Sequence, residues 1–221
     1  MKKILAALIL TTFAAVTSTA SATAITVTTA QSTFDAGVKN QGWWSATSSN
    51  PNSDNNDNYY TGKISTNELR SFFTFDLSQI VGTISSATLR IARGGQPGVV
   101  NLNLWDVTTA ASIVNNNAGY DAAIFADLGT GINYGSYTVA TGSSTDVLNF
   151  ALNAAALQDM LAKGYFTFGA TVNAAAGQTI FSGGIGLVSL DLQVSDVPEP
   201  ASIALFGLGL AGLLARRRRN A

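Results

Sequence analysis

Leu69-Arg70-Ser71-Phe72-Phe73-Thr74-Phe75-Asp76-Leu77 is the stretch that decides the fold class. Phe73, Phe75 and Leu77 alternate with Phe72, Thr74 and Asp76. Successive side chains of an extended chain leave opposite faces, so this period of two predicts a half-buried strand. Ser78–Gly82 reads as a turn. Beyond it, Ala87, Leu89 and Ile91 alternate with Thr88, Arg90 and Ala92. Gly94-Gly95-Gln96-Pro97-Gly98 turns again, and Val100, Leu102 and Leu104 then alternate with Asn101, Asn103 and Trp105. Three alternating segments joined by turns at this spacing predict an antiparallel sandwich.

Working outward, Ile25–Thr29 is β-branched and reads as a first strand. Gln31–Gly42 is mixed, and Ser45–Asn58 is a long polar loop rich in turn-forming Ser, Asn and Asp. Asn115–Gly135 is loop-rich, with a short apolar piece at Ala122–Leu128. Tyr137–Val139 and Val147–Leu152 read as strands. Asn153 is a good N-cap, Ala154–Ala162 are helix formers and Gly164 is a natural stop, which predicts one short helix. Phe166, Phe168, Ala170 and Val172 alternate, and Ala174–Gln178 connects them to closing strands at Ile180–Ser182 and Val188–Val194. The expected fold is all-β: a jelly-roll-like antiparallel β-sandwich of about eight or nine strands with one short helix.

The two ends have a different chemistry. Lys2 and Lys3 precede an apolar run, Ile4–Val16, followed by small residues that offer cleavage after Ala22 or Ala24. Charge, apolar run and small-x-small in that order predict a signal helix, residues 1–24, removed by signal peptidase. The run is shorter than the ~20 residues a spanning helix needs. At the other end, Val197-Pro198-Glu199-Pro200 precedes a Gly-, Ala- and Leu-rich segment and then Arg216-Arg217-Arg218-Arg219. An apolar stretch at 201–215 backed by four arginines predicts a transmembrane helix that stops with its arginines in the cytoplasm and its prolines outside. The domain between the ends is expected at residues 25–196.

This tail resembles the PEP-CTERM sorting signal in its Val197-Pro198-Glu199-Pro200, its apolar helix and its terminal arginine cluster. The resemblance implies an exopolysaccharide-making bacterium of Gram-negative type. It also implies an exosortase that acts near Pro198–Pro200, transient anchoring in the inner membrane, and delivery to the cell surface or extracellular matrix. A second resemblance lies in Asn67–Ile80 followed by Ser86-Ala87-Thr88-Leu89-Arg90-Ile91. It is similar to the opening of DNRLRE-type domains, β-sandwiches of exported bacterial proteins linked to carbohydrate binding and cell surfaces. Ile124–Tyr137 (IFADLGTGINYGSY) also resembles a segment that recurs in PEP-CTERM proteins, and it implies no activity.

Composition excludes several functions. The net charge of −1 misleads, because Lys2, Lys3 and Arg216–Arg219 hold half of the twelve basic residues. The middle keeps six basic residues against twelve acids and so carries about −6, which disfavours nucleic acid. With no cysteine and no histidine, there is no disulfide, no Ser-His-Asp or Cys-His nucleophile and no His/Cys zinc site.

Candidate sites remain in the polar loop and its flanks. Trp43, Trp44, Tyr59 and Tyr60 are candidate glycan contacts, since aromatic faces stack on the apolar C–H faces of sugars. In a strand, neighbours point to opposite faces, so at most one of each pair can be core. Asp54, Asn56 and Asn58 place oxygen ligands at alternate positions, the pattern of a calcium loop, although a solvated turn has the same composition. Arg70 and Asp76 bracket a strand and read as local fold-ordering charges. No motif singles out a catalytic carboxylate pair. The expected function is non-catalytic, an exported surface protein that binds exopolysaccharide or another glycan. A purely structural matrix or adhesion component, and a secreted polysaccharide hydrolase or lyase, are the alternatives. Ice binding would need a regular Thr-x-Thr ladder, which is not visible.

Overall fold

The computed structural model describes residues 22–29, 40–47, 59–95, 98–115, 120–162, 164–173, 175–184 and 188–195. The chain runs β1 (Ala22–Thr28), β2 (Gln41–Ser45), β3 (Tyr59–Ile64), β4 (Asn67–Asp76), β5 (Thr83–Ala92), β6 (Val100–Asp106), α1 (Ala111–Val114) and α2 (Ala122–Asp127). It continues through β7 (Asn133–Val139), β8 (Val147–Ala151), α3 (Ala154–Ala162), β9 (Tyr165–Asn173), β10 (Thr179–Gly184) and β11 (Ser189–Ser195).

Every strand pairing among the described residues is antiparallel. A four-stranded sheet has the order β1-β11-β5-β8, and a larger sheet the order β10-β3-β4-β9-β6-β7, with β2 added against β4. The alternation at Leu69–Leu77 now has a physical cause. Phe73 and Phe75 enter one core with Leu102 and Leu104 of β6 and Phe166 and Phe168 of β9. Leu89 and Ile91 of β5, Phe150 of β8 and Leu190 and Leu192 of β11 join that core from the smaller sheet. The rings of Phe75 and Phe168 stack at 5.8 Å. Each such buried side chain contributes about 1.5–3 kcal/mol, so the phenylalanines of the larger sheet, packed against the aliphatic side chains of the smaller one, contribute heavily to holding the two sheets together.

The helix expected at Ala154–Ala162 forms as α3, capped by Asn153, whose Oδ1 accepts from Ala155 N at 3.1 Å and Ala156 N at 3.2 Å. The described residues hold eleven strands and three helices, more than the eight or nine strands and single helix expected. The additions are instructive. β2 and β3 are rich in Gly, Gln, Ser and Tyr and carry little alternation of their own; pairing to β4 holds them extended, with Trp44 opposite Arg70 and Gly62 opposite Leu69. The apolar piece at Ala122–Leu128 is helix α2, because Asp121 Oδ1 accepts from Ala123 N at 2.7 Å and Ile124 N at 3.1 Å and nucleates a turn.

α1 and α2 cover part of the large sheet's other face. Trp44, Phe72, Val107, Val114, Ile124 and Leu128 form a second, smaller core there. Phe72 leaves β4 on the side opposite Phe73, so the single strand β4 serves two cores.

Candidate functional site

The four aromatic residues expected as one glycan platform are separated. Trp44 is buried in the second core, and its indole N–H donates to the Val114 carbonyl at 3.0 Å. Tyr59 is fully buried in the main core, 5.4 Å from Phe73 and 6.3 Å from Phe181. Neither can touch a ligand, which corrects the expectation for both. Trp43 and Tyr60 remain half-buried and meet edge to face at 6.4 Å. The strand period explains the division, since each adjacent pair contributes one ring to a core.

Arg70 and Asp76 order the fold locally. Asp76 Oδ1 accepts from Ser78 N at 2.9 Å and shapes the turn after β4. Arg70 pairs with Glu68 at 3.0 Å and donates to the carbonyls of Phe125 at 2.9 Å and Ala126 at 3.4 Å, with its guanidinium 4.0 Å above the Phe125 ring. A cation at those carbonyls also meets the negative end of α2.

The segment IFADLGTGINYGSY is built around such contacts. Asp127 accepts from the backbone and hydroxyl of both Thr108 and Thr109 at 2.7–3.0 Å. Burial acts to raise its pKa, but the hydrogen bonds from Thr109 and Thr108 outweigh it and hold the carboxyl below its ordinary value. Gly131 has φ +93° and lies against the Asp106 carboxylate, which accepts from Ile132 N at 2.6 Å. A side chain at Gly129 would strike Arg70 and Thr171. The recurring glycines therefore make room for an internal scaffold of charged anchors.

The remaining acids are similarly engaged. Asp146 pairs with the buried Arg93 at 3.5 Å, whose Nη1 donates to the Ala140 carbonyl at 2.7 Å. Tyr134 donates to Asp159, and burial first, then that hydrogen bond, raise the Tyr134 pKa. Asp191 accepts from Thr26 at 2.7 Å and pairs with Arg90 at 3.5 Å. Every acidic side chain among the described residues thus has a partner inside the fold. A depression of about 230 Å³ between Leu77, Ile80, Ile84, Met160 and Leu161 is lined by apolar side chains and Ser78, without a titratable group.

One surface has a different character. Beyond the area covered by α1 and α2, the outward faces of β7, β6 and β9 stay open. Asn101 lies opposite Thr138 on one side and Asn173 on the other; Asn103 lies opposite Ser136 and Thr171. All six are exposed or half-buried. Thr138 Oγ1 donates to Asn101 Oδ1 at 3.2 Å, and Ser136 Oγ donates to Asn103 Oδ1 at 2.7 Å. Trp105 borders the grid, half-buried, with its indole N–H donating to Thr171 Oγ1 at 2.9 Å. The alternation of Asn101, Asn103 and Trp105 was legible in sequence, but their alignment with Ser136, Thr138, Thr171 and Asn173 exists only in the register.

Ala22 and Ala24, the expected cleavage points, lie in β1, exposed and paired with Ser195 and Gln193. The expected boundary at residue 24 therefore falls inside a strand. β11 ends at Ser195, opposite Ala22, so the polypeptide enters and leaves this β-domain side by side. Val197, Pro198, Glu199 and Pro200, Arg216 to Arg219, the signal helix, the span at 201–215 and the candidate calcium residues Asp54, Asn56 and Asn58 lie outside the described residues. Among the described residues, no helix is long and apolar enough to cross a membrane, and no group of three acidic side chains could hold a metal ion.

Comparison with protein families adds the decisive point. Residues 196–219 match the PEP-CTERM protein-sorting motif. The motif begins directly after β11 and implies export, membrane-associated processing and an exosortase as the processing partner. No curated protein matches the chain.

Proposed function

We propose that this protein is a non-catalytic, glycan-binding component of the cell surface or exopolysaccharide matrix, placed there after exosortase acts on Pro198–Pro200. The observation that carries the reading is the sorting motif at 196–219 attached to the last strand of a two-sheet β-domain. Three further features support it. The acids of the described residues are committed to the fold, which leaves the domain's polar surface to recognition. Asn67–Ile80 and Ser86–Ile91, the segments likened to DNRLRE-type domains, supply β4 inside the larger sheet and β5 inside the smaller one. The connections cross repeatedly between the two sheets, which supports the jelly-roll-like reading.

The reading is tested by fractionating cells that express the natural chain or a variant with Pro198, Glu199 and Pro200 all changed to alanine. The variant is expected to accumulate at full length in the inner membrane while the natural protein reaches the surface or medium. Equal release of both forms would end the sorting part of the proposal.

A further inference from the structure

We propose that the open face of β7, β6 and β9 is a binding surface for a neutral polysaccharide chain. The proposal rests on the glycan-binding reading above and assigns it a site. The geometry is a grid of two rows, Thr138–Asn101–Asn173 and Ser136–Asn103–Thr171. Neighbouring strands lie about 4.8 Å apart, and positions two residues apart along a strand about 7 Å apart. The grid therefore offers hydrogen-bonding groups at short, regular intervals over a rigid surface.

The chemistry selects the ligand class. Each face-forming side chain of the grid is a carboxamide or a hydroxyl, and none is charged. The Thr138 and Ser136 hydroxyls donate to the oxygens of Asn101 and Asn103, which fixes both amide planes. Among the described residues, neither amide NH2 group has a hydrogen-bond partner, with Asn101 exposed and Asn103 half-buried, and the hydroxyls keep free lone pairs. A sugar's hydroxyls are simultaneous donors and acceptors and fit such an array, and the array loses little entropy on binding because it is already ordered. Trp105, pinned by Thr171, adds apolar ring surface beside the second row for sugar C–H groups. Arg70 flanks Thr171 across Gly129, but Glu68 already neutralises it. A nucleic acid or polyanion would demand unpaired cations, and a protein partner a desolvated apolar centre. This face has neither.

The test uses residues 22–196, which contain the whole described core in one compact unit. Affinity electrophoresis in gels containing a soluble β-glucan, a mannan, dextran or alginate compares three proteins. These are the natural domain, Asn101→Ala/Asn103→Ala, and Trp43→Ala/Tyr60→Ala. The expected result is retardation of the natural domain by at least one neutral polymer, and about tenfold weaker retardation of the asparagine variant, the effect of two lost hydrogen bonds. Urea midpoints should shift only slightly for that variant, since Asn101 is exposed, Asn103 half-buried and each loses one surface hydrogen bond, and a midpoint measurement separates lost binding from lost folding. The aromatic variant should bind normally. If the aromatic variant alone loses binding, the glycan reading stands and this site is overturned. Retardation of the natural domain by alginate only overturns this site and leaves the glycan reading standing; retardation by no polymer overturns both, while cell fractionation still judges the sorting reading independently.

Discussion

Replacing Tyr59 by phenylalanine should stabilise this protein. The hydroxyl of Tyr59 is buried without a hydrogen-bond partner in the fold, although the ring is packed against Phe73 and Phe181. Phenylalanine keeps the ring and removes only the unsatisfied group. Burying an unpaired hydroxyl costs roughly 1–3 kcal/mol in proteins, so Tyr59→Phe should gain about 1–2 kcal/mol. A second effect follows from ionisation. Burial pushes the Tyr59 pKa up to about 12 from 10.0. The folded state keeps the proton where the unfolded state has lost it. The stabilisation is therefore complete below pH 10 and falls away as pH rises through the folded value. A shift of about two units corresponds to about 3 kcal/mol at most, lost by the natural protein and not by the variant. Urea unfolding followed by tryptophan fluorescence reads both effects. At neutral pH the midpoint should rise by about 0.5–1 M. The gap between the two proteins should then widen between pH 10 and 12, since Tyr134 and Tyr137 titrate in both and cancel. A lower midpoint for the variant at neutral pH would mean that the hydroxyl has a partner after all and would refute the reasoning. So would a gap that stays constant above pH 10.

Two further perturbations test the anchors around α2. Arg70→Ala removes both carbonyl hydrogen bonds and the contact with Phe125, and should lower stability by about 2–3 kcal/mol in urea unfolding; Arg70→Lys should recover less than half, because an ammonium cannot reproduce the planar fork. An Arg70→Ala loss below about 0.5 kcal/mol would show that α2 is held by packing alone. Asp127→Asn should cost about 1 kcal/mol at neutral pH, since the charged acceptor of Thr108 and Thr109 is lost. The folded carboxyl of Asp127 sits below its unfolded value, so its contribution is present above the unfolded pKa and lost as pH falls through the folded one. Acid unfolding of the variant should accordingly be less steep below about pH 4, and identical acid limbs would sink the assignment.

How far the sequence could be read depended on how local each cause was. Phe73 and Phe75 announced β4 because alternation is written within five residues, and Asn153 announced α3 because a cap and its helix are adjacent. β2 was missed because its extended form comes from β4, a partner distant in sequence, and β3 because its sequence, Tyr59–Ile64, carries no alternation, although it forms a tight hairpin with β4 in which Ile64 lies opposite Asn67. Trp44 and Tyr59 looked like ligand contacts because adjacent aromatics reveal that one of each pair must face a core, but not which one. The second core decided for Trp44, and the contacts with Phe73 and Phe181 decided for Tyr59.

The sequence by itself determined the all-β class, the helix at α3 and the sorting tail. Those follow from periodicity, capping and charge order, all of which act over a few neighbouring residues. Only the tertiary structure decided which side chains share a face. It set Asn101 and Asn103 between Ser136, Thr138, Thr171 and Asn173, put Arg70 at the end of α2, and laid Ala22 beside Ser195. The reason is physical: strand pairing joins backbone edges irrespective of their separation along the chain, so register, and with it every surface assembled across strands, appears only when the sheet has formed.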